Sequence, residues 1–420
     1  MRPLRTIILA AGRGVRMNSD IPKVLHPICG KPMIQHVINL ARGVGSLKTY
    51  LILGFKNQEV REAISGPLEV VLQKRLLGTA DAVRCTDPYF KNYKGDVLIL
   101  SGDAPLLERR TIVQLIAKHR HRGAAGTFLT ADRADPLGYG RVVRDHQGAV
   151  KAIREERDAA PKEKEITEIN AGVYCFNAPT LFRLISGIKV NRKKNEFYLT
   201  DIVSLLVEKG ERVETLKTLD SEEVLGINTR EDLACAERIL RNKILKSFMR
   251  QGVTIEDPQT TYIQLDVKIG RDTTIRPFTV IENNVGIGRR CWIGPFCRLR
   301  SGTRLADQVQ VGNFTEVSRS HLGNRCLMKH FGFLGDAAVG SRVNIGAGTV
   351  TANFDGKKKN RTTILDEAFI GSDSILIAPL KVGRRALTAA GAVVTQGQSI
   401  PDGHVAMGVP ARIVSKRRSS

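Results

Sequence analysis

The stretch "KIGRDTTIRPFTVIENNVGIGRRCWIGPFCRLRSGTRLADQVQVGNFTEV", residues 268–317, decides the fold of the second half of the chain. A period of six predicts a parallel β-helix with three flat faces and about 18 residues per coil, each coil rising about 4.8 Å. A β-sandwich would instead show a period of two. The apolar positions that carry the period are Ile269, Ile275, Ile281, Ile287, Ile293, Leu299, Leu305, Val311 and Val317.

The same period continues beyond residue 317 but slips out of register three times, within 317–322, 334–339 and 351–364. A repeat that only stacks has no need of such slips, so we expect functional residues near them. His330 lies close to the second slip, and "TANFDGKKKNRT" fills the third. An ordinary loop insertion is the alternative explanation.

The first half alternates short apolar strands with helical patterns. Strands separated by helices predict a mainly parallel, Rossmann-like sheet with both faces covered, which binds ligands beyond the carboxyl ends of its strands. Apolar residues at helical spacing between 233 and 248 predict a connecting helix. We therefore expect an α/β domain at 1–227, a linker helix at 228–252 and a left-handed parallel β-helix at 253–420. The predicted strands of the first half are "TIILA", "TYLILG", "EVVLQ", "DVLILSGD", "GTFLT" and "GVYCF".

Composition limits the possible partners and compartment. The net charge is +23, but the basic residues are spread along the chain without interleaved aromatics, so anionic small substrates are favoured over nucleic acid. Seven cysteines without a Cys-x-x-Cys spacing argue against a disulfide framework or a zinc site and indicate a reducing compartment. No stretch approaches ~20 apolar residues, so no membrane span is expected. The apolar segment near the amino terminus is interpreted as a first strand and not as a signal peptide.

The segment "LAAGRGVRM" at 9–17 resembles a phosphate-binding loop without fitting either common glycine-rich template. Glycines allow backbone N–H groups to approach an anion, and Arg13, Arg16 and Lys23 supply the charge that a triphosphate requires. The alternative is an ordinary strand-to-helix turn with solvated arginines.

Three further features of the first half suggest chemistry, although each has a structural alternative. Asp103 ends a buried strand, where its carboxylate could bind Mg²⁺ together with substrate phosphates or could simply cap a helix. Gln73 offers an amide for a base edge, and Gly78-Thr79 offers a point of close approach. Gly and Asn in "DPLGYGRVV" and "EINAGVYCF" could bind sugar hydroxyls or serve ordinary turns.

In the second half, His330 in "CLMKHFGFLGD" is the best candidate for a general base. Glu316 precedes it by less than one coil and is expected to orient it. An isolated surface histidine on a β-helix turn is the alternative.

Taken together, these motifs resemble the bifunctional N-acetylglucosamine-1-phosphate uridylyltransferase and glucosamine-1-phosphate acetyltransferase family over nearly the whole chain. The order of several motifs is more specific than any one of them. The motifs of the first half are "LAAGRGVRM", "PKVLHPICGKPM", "LQKRLLGTADAV", "LSGDAPLL", "GYGR", "EINAG", "NEFYLTDI" and "GINTR". Those of the second half are "IGPFCRLRSG", "VGNFTEV", "KHFGFLGD", "NIGAGTVTANFDG" and "FIGSD".

For the first half, the resemblance implies transfer of a uridylyl group from UTP to N-acetylglucosamine-1-phosphate, with release of pyrophosphate. Arg16 and Lys23 would act on the phosphates as catalytic groups. The implied residues are Leu9, Ala10, Ala11, Gly12, Gly14, Lys23, Gln73, Gly78 and Thr79 for the nucleotide, Gly140, Glu155 and Asn170 for the sugar phosphate, and Asp103 and Asn228 for Mg²⁺.

For the second half, the resemblance implies acetyl transfer from acetyl-CoA to glucosamine-1-phosphate. His330 would deprotonate the amine, with Glu316 as its partner. The other implied residues are Arg300, Asn344 and Lys359 for the amino-sugar phosphate, and Asn353, Phe354, Ser372 and Ala390 for acetyl-CoA.

The chain departs from the family pattern at four positions. Val15 replaces a small hydroxyl residue, Ser318 replaces a phosphate-binding lysine, and Phe333 and Phe354 replace tyrosines. Loss of a charge-assisted hydrogen bond typically costs about 1.5–3 kcal/mol. Weaker binding of the acceptor, or a different acceptor, is therefore a hypothesis to test.

The resemblance further implies a cytoplasmic homotrimer with acetyl-transfer sites shared between subunits, acting in UDP-N-acetylglucosamine synthesis for peptidoglycan and lipopolysaccharide. Its ligands would be small molecules, with no nucleic acid or membrane partner. Two alternatives stay open: a monofunctional sugar-1-phosphate nucleotidyltransferase whose β-helix is degenerate or has another specificity, and a basic scaffold without enzymatic activity.

Overall fold

The computed structural model of the chain describes residues 2–191 and 195–416. By its internal contacts the chain divides into two units, Met1–Glu237 and Arg238–Ser420, so the division falls inside the segment expected to be a connecting helix. The expected limits at 227, 252 and 253 stay a prediction. Among the described residues, no helix combines the length and apolarity that crossing a bilayer requires.

The first unit is built on one mixed sheet, in which β1 lies parallel to β4 and β6 and is buried between them. The sheet order is β11-β7-β10-β6-β1-β4-β5, with β8 paired to β10 and β9 paired to β8. Its strands are β1 Leu4–Ala10, β4 Lys48–Leu53, β5 Glu69–Leu72, β6 Asp96–Ser101, β7 Gly126–Asp132, β8 Arg141–Arg144, β9 Val150–Arg154, β10 Glu168–Asn177 and β11 Val213–Lys217, and a separate pair comprises β2 Pro27–Ile28 and β3 Lys31–Pro32.

Helices cover the two faces of this sheet, as the alternation of strands and helical patterns predicted. The helices are α1 Met33–Gly43, α2 Asn57–Ala63, α3 Thr79–Arg84, α4 Arg109–Arg122, α5 Pro161–Lys164, α6 Ala178–Leu184 and α7 Asp201–Glu208, and α8 spans Arg230–Arg250. The Rossmann-like fold class of the first half is confirmed. Two features were not predicted: β10 runs antiparallel to both β6 and β7, and β8 pairs with β9 as a hairpin.

The parallel strands place the predicted nucleotide residues at one edge. Because β1, β4, β5 and β6 are parallel, their carboxyl ends share a side of the sheet. The chain leaves β1 at Ala10, β5 at Leu72 and β6 at Ser101, just before the phosphate-loop candidate, Gln73 and Asp103, respectively.

The second unit is a parallel β-helix, as the period of six predicted. Ile275 pairs with Ile293 and Ile293 with Val311, each pair 18 positions apart, and all three side chains are fully buried in the axial core. The three sheets form the faces. The first contains β12 Thr254–Ile255, β15 Thr274–Ile275, β18 Trp292–Ile293, β21 Gln310–Val311, β24 Leu327–Met328, β27 Asn344–Ile345, β30 Phe369–Ile370, β33 Leu387–Thr388, β36 His404–Met407 and β37 Arg412–Lys416.

The second and third sheets form the other two faces of the β-helix. The left-handed β-helix fold class is confirmed. The second sheet contains β13 Tyr262–Ile263, β16 Val280–Ile281, β19 Cys297–Leu299, β22 Thr315–Ser318, β25 Gly332–Gly335, β28 Val350–Ala352, β31 Ile375–Ile377 and β34 Val393–Val394. The third contains β14 Lys268–Ile269, β17 Gly286–Ile287, β20 Arg304–Leu305, β23 His321–Leu322, β26 Ala337–Val339, β29 Thr362–Ile364, β32 Leu380–Val382 and β35 Ser399–Ile400.

All three register slips fall at one corner of the β-helix, between the second and third sheets. This corner, which we call the slip corner, comprises residues 319–320 between β22 and β23, residue 336 between β25 and β26, and residues 353–361 between β28 and β29. Two successive coils are shortened there by one residue, and the next coil carries an inserted loop.

Candidate functional sites

The loop after β1 is shaped around Lys23. Gly14 adopts a left-handed conformation with φ +63°, and a Cβ at this position would lie 2.5 Å from the Cβ of Lys23. Glycine therefore allows the lysine to pack directly against the loop. Val15, one of the departures from the family pattern, is 79% exposed and lies outside both clefts described below.

Four of the predicted residues converge on one point of the first unit. The Nζ atom of Lys23 donates hydrogen bonds to Oδ2 of Asp103 at 2.5 Å and to Oδ1 of Asn228 at 3.2 Å. The same Asn228 oxygen accepts a hydrogen bond from Nη2 of Arg16 at 2.9 Å. The backbone explains this meeting, because the N–H of Ile227 donates to the carbonyl of Asp103 at 2.9 Å and so brings residue 228 beside the end of β6.

The helix that follows fixes Asn228 from the other side. The backbone N–H groups of Asn228 and Thr229 both donate to Oδ2 of Asp232 at 2.9 Å, and the N–H of Asp232 donates to the Thr229 hydroxyl at 3.1 Å. This reciprocal arrangement satisfies the free N–H groups at the start of α8. The side-chain amide of Asn228 is thereby held towards Lys23.

The oxygens of Asp103 and Asn228 fit a Mg²⁺ site. Both are hard ligands and both approach the same ammonium group, so they lie close enough to share one cation. Within residues 2–191 and 195–416, no cluster of three His, Cys, Asp or Glu side chains has metal-binding geometry. A site with two protein ligands suits Mg²⁺, which usually completes its octahedron with water and substrate phosphates.

Two clefts open at this edge and share Leu9, Thr79, Ser101, Asp103 and Glu155 in their walls. The smaller cleft has a volume of about 390 Å³, and the larger has a volume of about 660 Å³. Predicted residues lining the smaller cleft are Leu9, Ala10, Ala11, Gly12, Lys23, Gln73, Gly78, Thr79, Asp103 and Glu155, and those lining the larger are Leu9, Arg16, Thr79, Asp103, Gly140, Glu155, Asn170 and Asn228.

The nitrogen of the Gln73 side-chain amide already donates two hydrogen bonds within the protein. The side chain is buried, and Nε2 donates to the carbonyl of Gly78 at 3.0 Å and to Oδ2 of Asp81 at 2.9 Å. These bonds fix the orientation of the amide. Its Oε1 atom is therefore the group available to accept a hydrogen bond from a ligand in the smaller cleft.

Sequence reasoning missed the role of residues 197–199, which form part of the wall beside Gly78. The N–H of Phe197 donates to the carbonyl of Leu77 at 2.7 Å, and the N–H of Leu199 donates to the Thr79 hydroxyl at 2.9 Å. A Cβ on Gly78 would lie 2.5 Å from the Phe197 carbonyl oxygen. The close approach expected at Gly78-Thr79 is thus made by the protein's own backbone. The "NEFYLTDI" motif was the only signal of this contact.

The larger cleft contains polar groups held by neighbouring side chains. Nδ2 of Asn170 donates to the Tyr174 hydroxyl at 2.7 Å, and its Oδ1 accepts from the N–H of Gly172 at 3.2 Å. Glu155 accepts a hydrogen bond from the Thr200 hydroxyl at 2.8 Å. Burial raises the pKa of Tyr174, so its phenol stays neutral. These groups can hold the hydroxyls of a sugar.

In the second unit, His330 shares a corner of the β-helix with two residues predicted to bind acetyl-CoA. His330, Ser372 and Ala390 occupy equivalent positions two residues after β24, β30 and β33. With Ala347 between the first two, they form a column three coils high, or about 14 Å. All three predicted residues are exposed.

The slip corner differs from expectation in one respect: His330 does not belong to it. His330 lies at the start of β25, whereas the slip corner begins at the other end of that strand. The four residues of β25 span about 13 Å. The period from Leu322 through Met328 to Leu334 is regular, which is why His330 keeps the position of an ordinary turn residue.

Glu316 is bound to a residue other than the expected one. Its Oε1 accepts a hydrogen bond from Nη1 of Arg300 at 3.1 Å, and in the sheet it stands directly beside Phe333. The described residues show no hydrogen bond between Glu316 and His330. The pairing of these two residues as a catalytic dyad stays a prediction.

Other predicted acetyl-transfer residues meet at the slip corner. Asn353 donates from Nδ2 to Oδ2 of Asp336, and Lys359 pairs with Phe354 across the inserted loop. Hydrogen bonds from Arg319 lower the pKa of Asp336, helped by Asn353 and by the charge of Lys359. Asn344 lies apart from this group, on the first sheet.

Comparisons with known proteins cover nearly the whole chain. Residues 5–222 match the family model described as "Nucleotidyl transferase". The "Bifunctional protein GlmU" of Shouchella clausii is 41% identical over 422 residues, covering 93% of each chain. The protein of the same name from Pelobacter propionicus is 42% identical over 444 residues, covering 97% of this chain and 96% of the relative. That from Pelotomaculum thermopropionicum is 43% identical, covering 90% of each chain.

Proposed function

Because this chain belongs to the family of bifunctional GlmU proteins, we propose that its two units carry two separate reactions of UDP-N-acetylglucosamine synthesis. The protein is an enzyme that acetylates glucosamine-1-phosphate with acetyl-CoA and then transfers a uridylyl group from UTP to N-acetylglucosamine-1-phosphate. The observation that carries the assignment of the first site is the convergence of Lys23, Asp103 and Asn228 beside two adjoining clefts.

In uridylyl transfer, the acceptor phosphate attacks the α-phosphorus of UTP in line and pyrophosphate leaves. Lys23 and Arg16 neutralise charge on the phosphates, and the glycine-containing loop gives the phosphates access to backbone N–H groups. Gln73 accepts a hydrogen bond from the base in the smaller cleft, while Glu155 and Asn170 hold the sugar in the larger one. Mg²⁺, bound by Asp103 and Asn228, would neutralise charge on the phosphates.

In acetyl transfer, His330 accepts a proton from the amine of glucosamine-1-phosphate as the amine attacks the thioester carbonyl. A C–N bond forms, the C–S bond breaks, and CoA leaves as the thiol after taking up a proton. The column of His330, Ser372 and Ala390 supports placing acetyl-CoA along this corner. Exposure of His330 leaves its ring accessible to both substrates.

We further propose a homotrimer assembled through the β-helix. Phe278, Phe296 and Phe314 stack along one corner with ring centroids 4.7 and 5.0 Å apart, and Phe331 follows them in register. All four are exposed in the chain, so together they offer an apolar surface beside His330 that a second copy would cover. A cytoplasmic location is supported by the seven cysteines, none of which is joined in a disulfide.

A paired assay on one preparation tests the proposed function. UTP, Mg²⁺ and N-acetylglucosamine-1-phosphate should release pyrophosphate, and glucosamine-1-phosphate with acetyl-CoA should release free thiol. Pyrophosphate without thiol would support the monofunctional alternative. Neither product from the folded protein would refute the assignment.

A further inference from the structure

We propose that the slip corner is an anion-binding cleft in which Arg319 and Lys359 bind the phosphate of the amino-sugar acceptor. This inference rests on the proposed acetyl-transfer function and assigns a residue, Arg319, to which the sequence pattern gave no role. It also accounts for Ser318, which stands where the family pattern has a phosphate-binding lysine.

The first support is that three separate irregularities of the repeat line one cleft. Arg319 comes from the first slip, Asp336 from the second, and residues 359–361 from the third. The cleft has a volume of about 410 Å³, enough for a phosphate and part of a sugar. A β-helix that only stacked would have no reason to lose its register three times at the same corner.

The second support is an excess of positive charge in this cleft. Its lining includes the cationic side chains of Arg304, Arg319, Lys359 and Arg361, opposed by the single carboxylate of Asp336. Arg304 donates its hydrogen bonds to neutral oxygens of Asn284 and Thr303, so these contacts do not neutralise its charge. A surplus of cations in a concave site favours a multiply charged anion such as a phosphate monoester.

The third support is the orientation of the Arg319 guanidinium. Nε and Nη2 donate to the two carboxylate oxygens of Asp336 at 2.7 and 2.8 Å, and Nη1 donates to the hydroxyl of Ser318 at 2.8 Å. A guanidinium has five N–H groups. Three are used, and one remains on each terminal nitrogen, a pair suited to two oxygens of a phosphate.

Ser318 therefore helps to position Arg319. Its side chain is buried, and its hydroxyl accepts a hydrogen bond from the neighbouring arginine. A serine at 318 holds the guanidinium of residue 319 in place, so the cationic group that a lysine would supply comes from the next residue. Arg300 occupies the register position of Ser318 one coil earlier, but its guanidinium is paired with Glu316 and does not line this cleft.

The test compares Arg319→Ala with Arg325→Ala in the full-length protein. Arg325 is a matched control because it is also an exposed corner arginine with positive φ, 58° against 48°, but it binds Gln308 and lies outside this cleft. Arg319→Ala should raise the KM for glucosamine-1-phosphate about 10- to 100-fold. The KM for acetyl-CoA and the rate of uridylyl transfer should not change. Arg319→Lys, which keeps the positive charge but loses the paired N–H groups of the guanidinium, should give an intermediate KM for glucosamine-1-phosphate.

Calorimetric titration with glucosamine-1-phosphate gives a readout that does not require turnover. Weaker binding by Arg319→Ala, with unchanged binding by Arg325→Ala, would support the cleft even if the parent protein released no CoA. In that case only the proposed acetyl-transfer function would fail. Equal affinity of Arg319→Ala and the parent, or no binding by the parent, would overturn the proposal. Fluorescence of the single Trp292, in the second unit, checks that each variant is folded.

Discussion

Replacing Gly78 with alanine tests how the wall of the smaller cleft is built. Gly78 has φ +104° and ψ −179°, a region that only glycine adopts readily and that costs another residue about 1–3 kcal/mol. The added Cβ would also lie 2.5 Å from the carbonyl oxygen and 2.8 Å from the nitrogen of Phe197, both backbone atoms that cannot rotate away. Overpacking of this kind typically adds about 1–3 kcal/mol. We therefore expect Gly78→Ala to lower the free energy of unfolding of the first unit by about 2–6 kcal/mol.

The assay must report on the first unit. Trp292 lies in the second unit, so its fluorescence does not report on unfolding of the first unit. The readout is therefore the uridylyl-transfer activity that remains after equilibration in urea. Gly45→Ala is the matched control, because Gly45 has φ +81° but nothing lies within 4 Å of its added Cβ. The control should show only the conformational cost. A midpoint for Gly78→Ala equal to that of Gly45→Ala would refute the steric argument, and an unchanged KM for UTP would show that Phe197 does not shape the nucleotide cleft.

Two further predictions concern acid stability and assembly. Burial raises the pKa of Asp96, but His119, whose Nε2 lies 3.6 Å from Oδ1, and Arg120, whose Nε donates a hydrogen bond to Oδ2 at 2.8 Å, together outweigh it and leave that pKa below its ordinary value. The stabilisation from Asp96 is present above the pKa that an Asp carboxyl has in the unfolded chain, about 4. It is lost as the pH falls through the lower pKa that Asp96 has in the folded protein. The urea concentration at the midpoint for loss of uridylyl transfer should therefore decrease when the pH is lowered below about 4. Asp96→Asn should decrease this midpoint concentration near neutral pH and make it less dependent on pH. A parallel fall in both proteins would contradict this assignment. Phe314→Asn, at a corner with φ 54° that asparagine tolerates, should reduce the molar mass measured by light scattering towards that of a monomer, and an unchanged mass would exclude the phenylalanine column from the interface.

The β-helix could be predicted because its cause is local and periodic. Each coil needs an inward apolar residue at a fixed spacing, so Ile275, Ile293 and Val311 show the fold without any knowledge of distant contacts. The meeting of Lys23 with Asp103 was also predictable, because parallel strands end at a common edge.

What could not be predicted depends on segments far apart in the chain or on competition between partners. The contact of Thr79 with Leu199 joins residues 120 positions apart, and only the folded sheet brings them together. Glu316 was expected to orient His330, but Arg300 at the neighbouring coil offers a charged donor at 3.1 Å. The slips were visible in the sequence, whereas their alignment at one corner required the register of the three sheets.

The measurement that tests the central claim most directly is the pair of activities in two single variants, Asp103→Ala and His330→Ala. Asp103→Ala should abolish release of pyrophosphate and leave release of CoA at the parent rate, because its carboxylate belongs to the phosphate site of the first unit. His330→Ala should do the reverse. If either substitution abolished both reactions in a folded protein, the assignment of one reaction to each unit would be wrong.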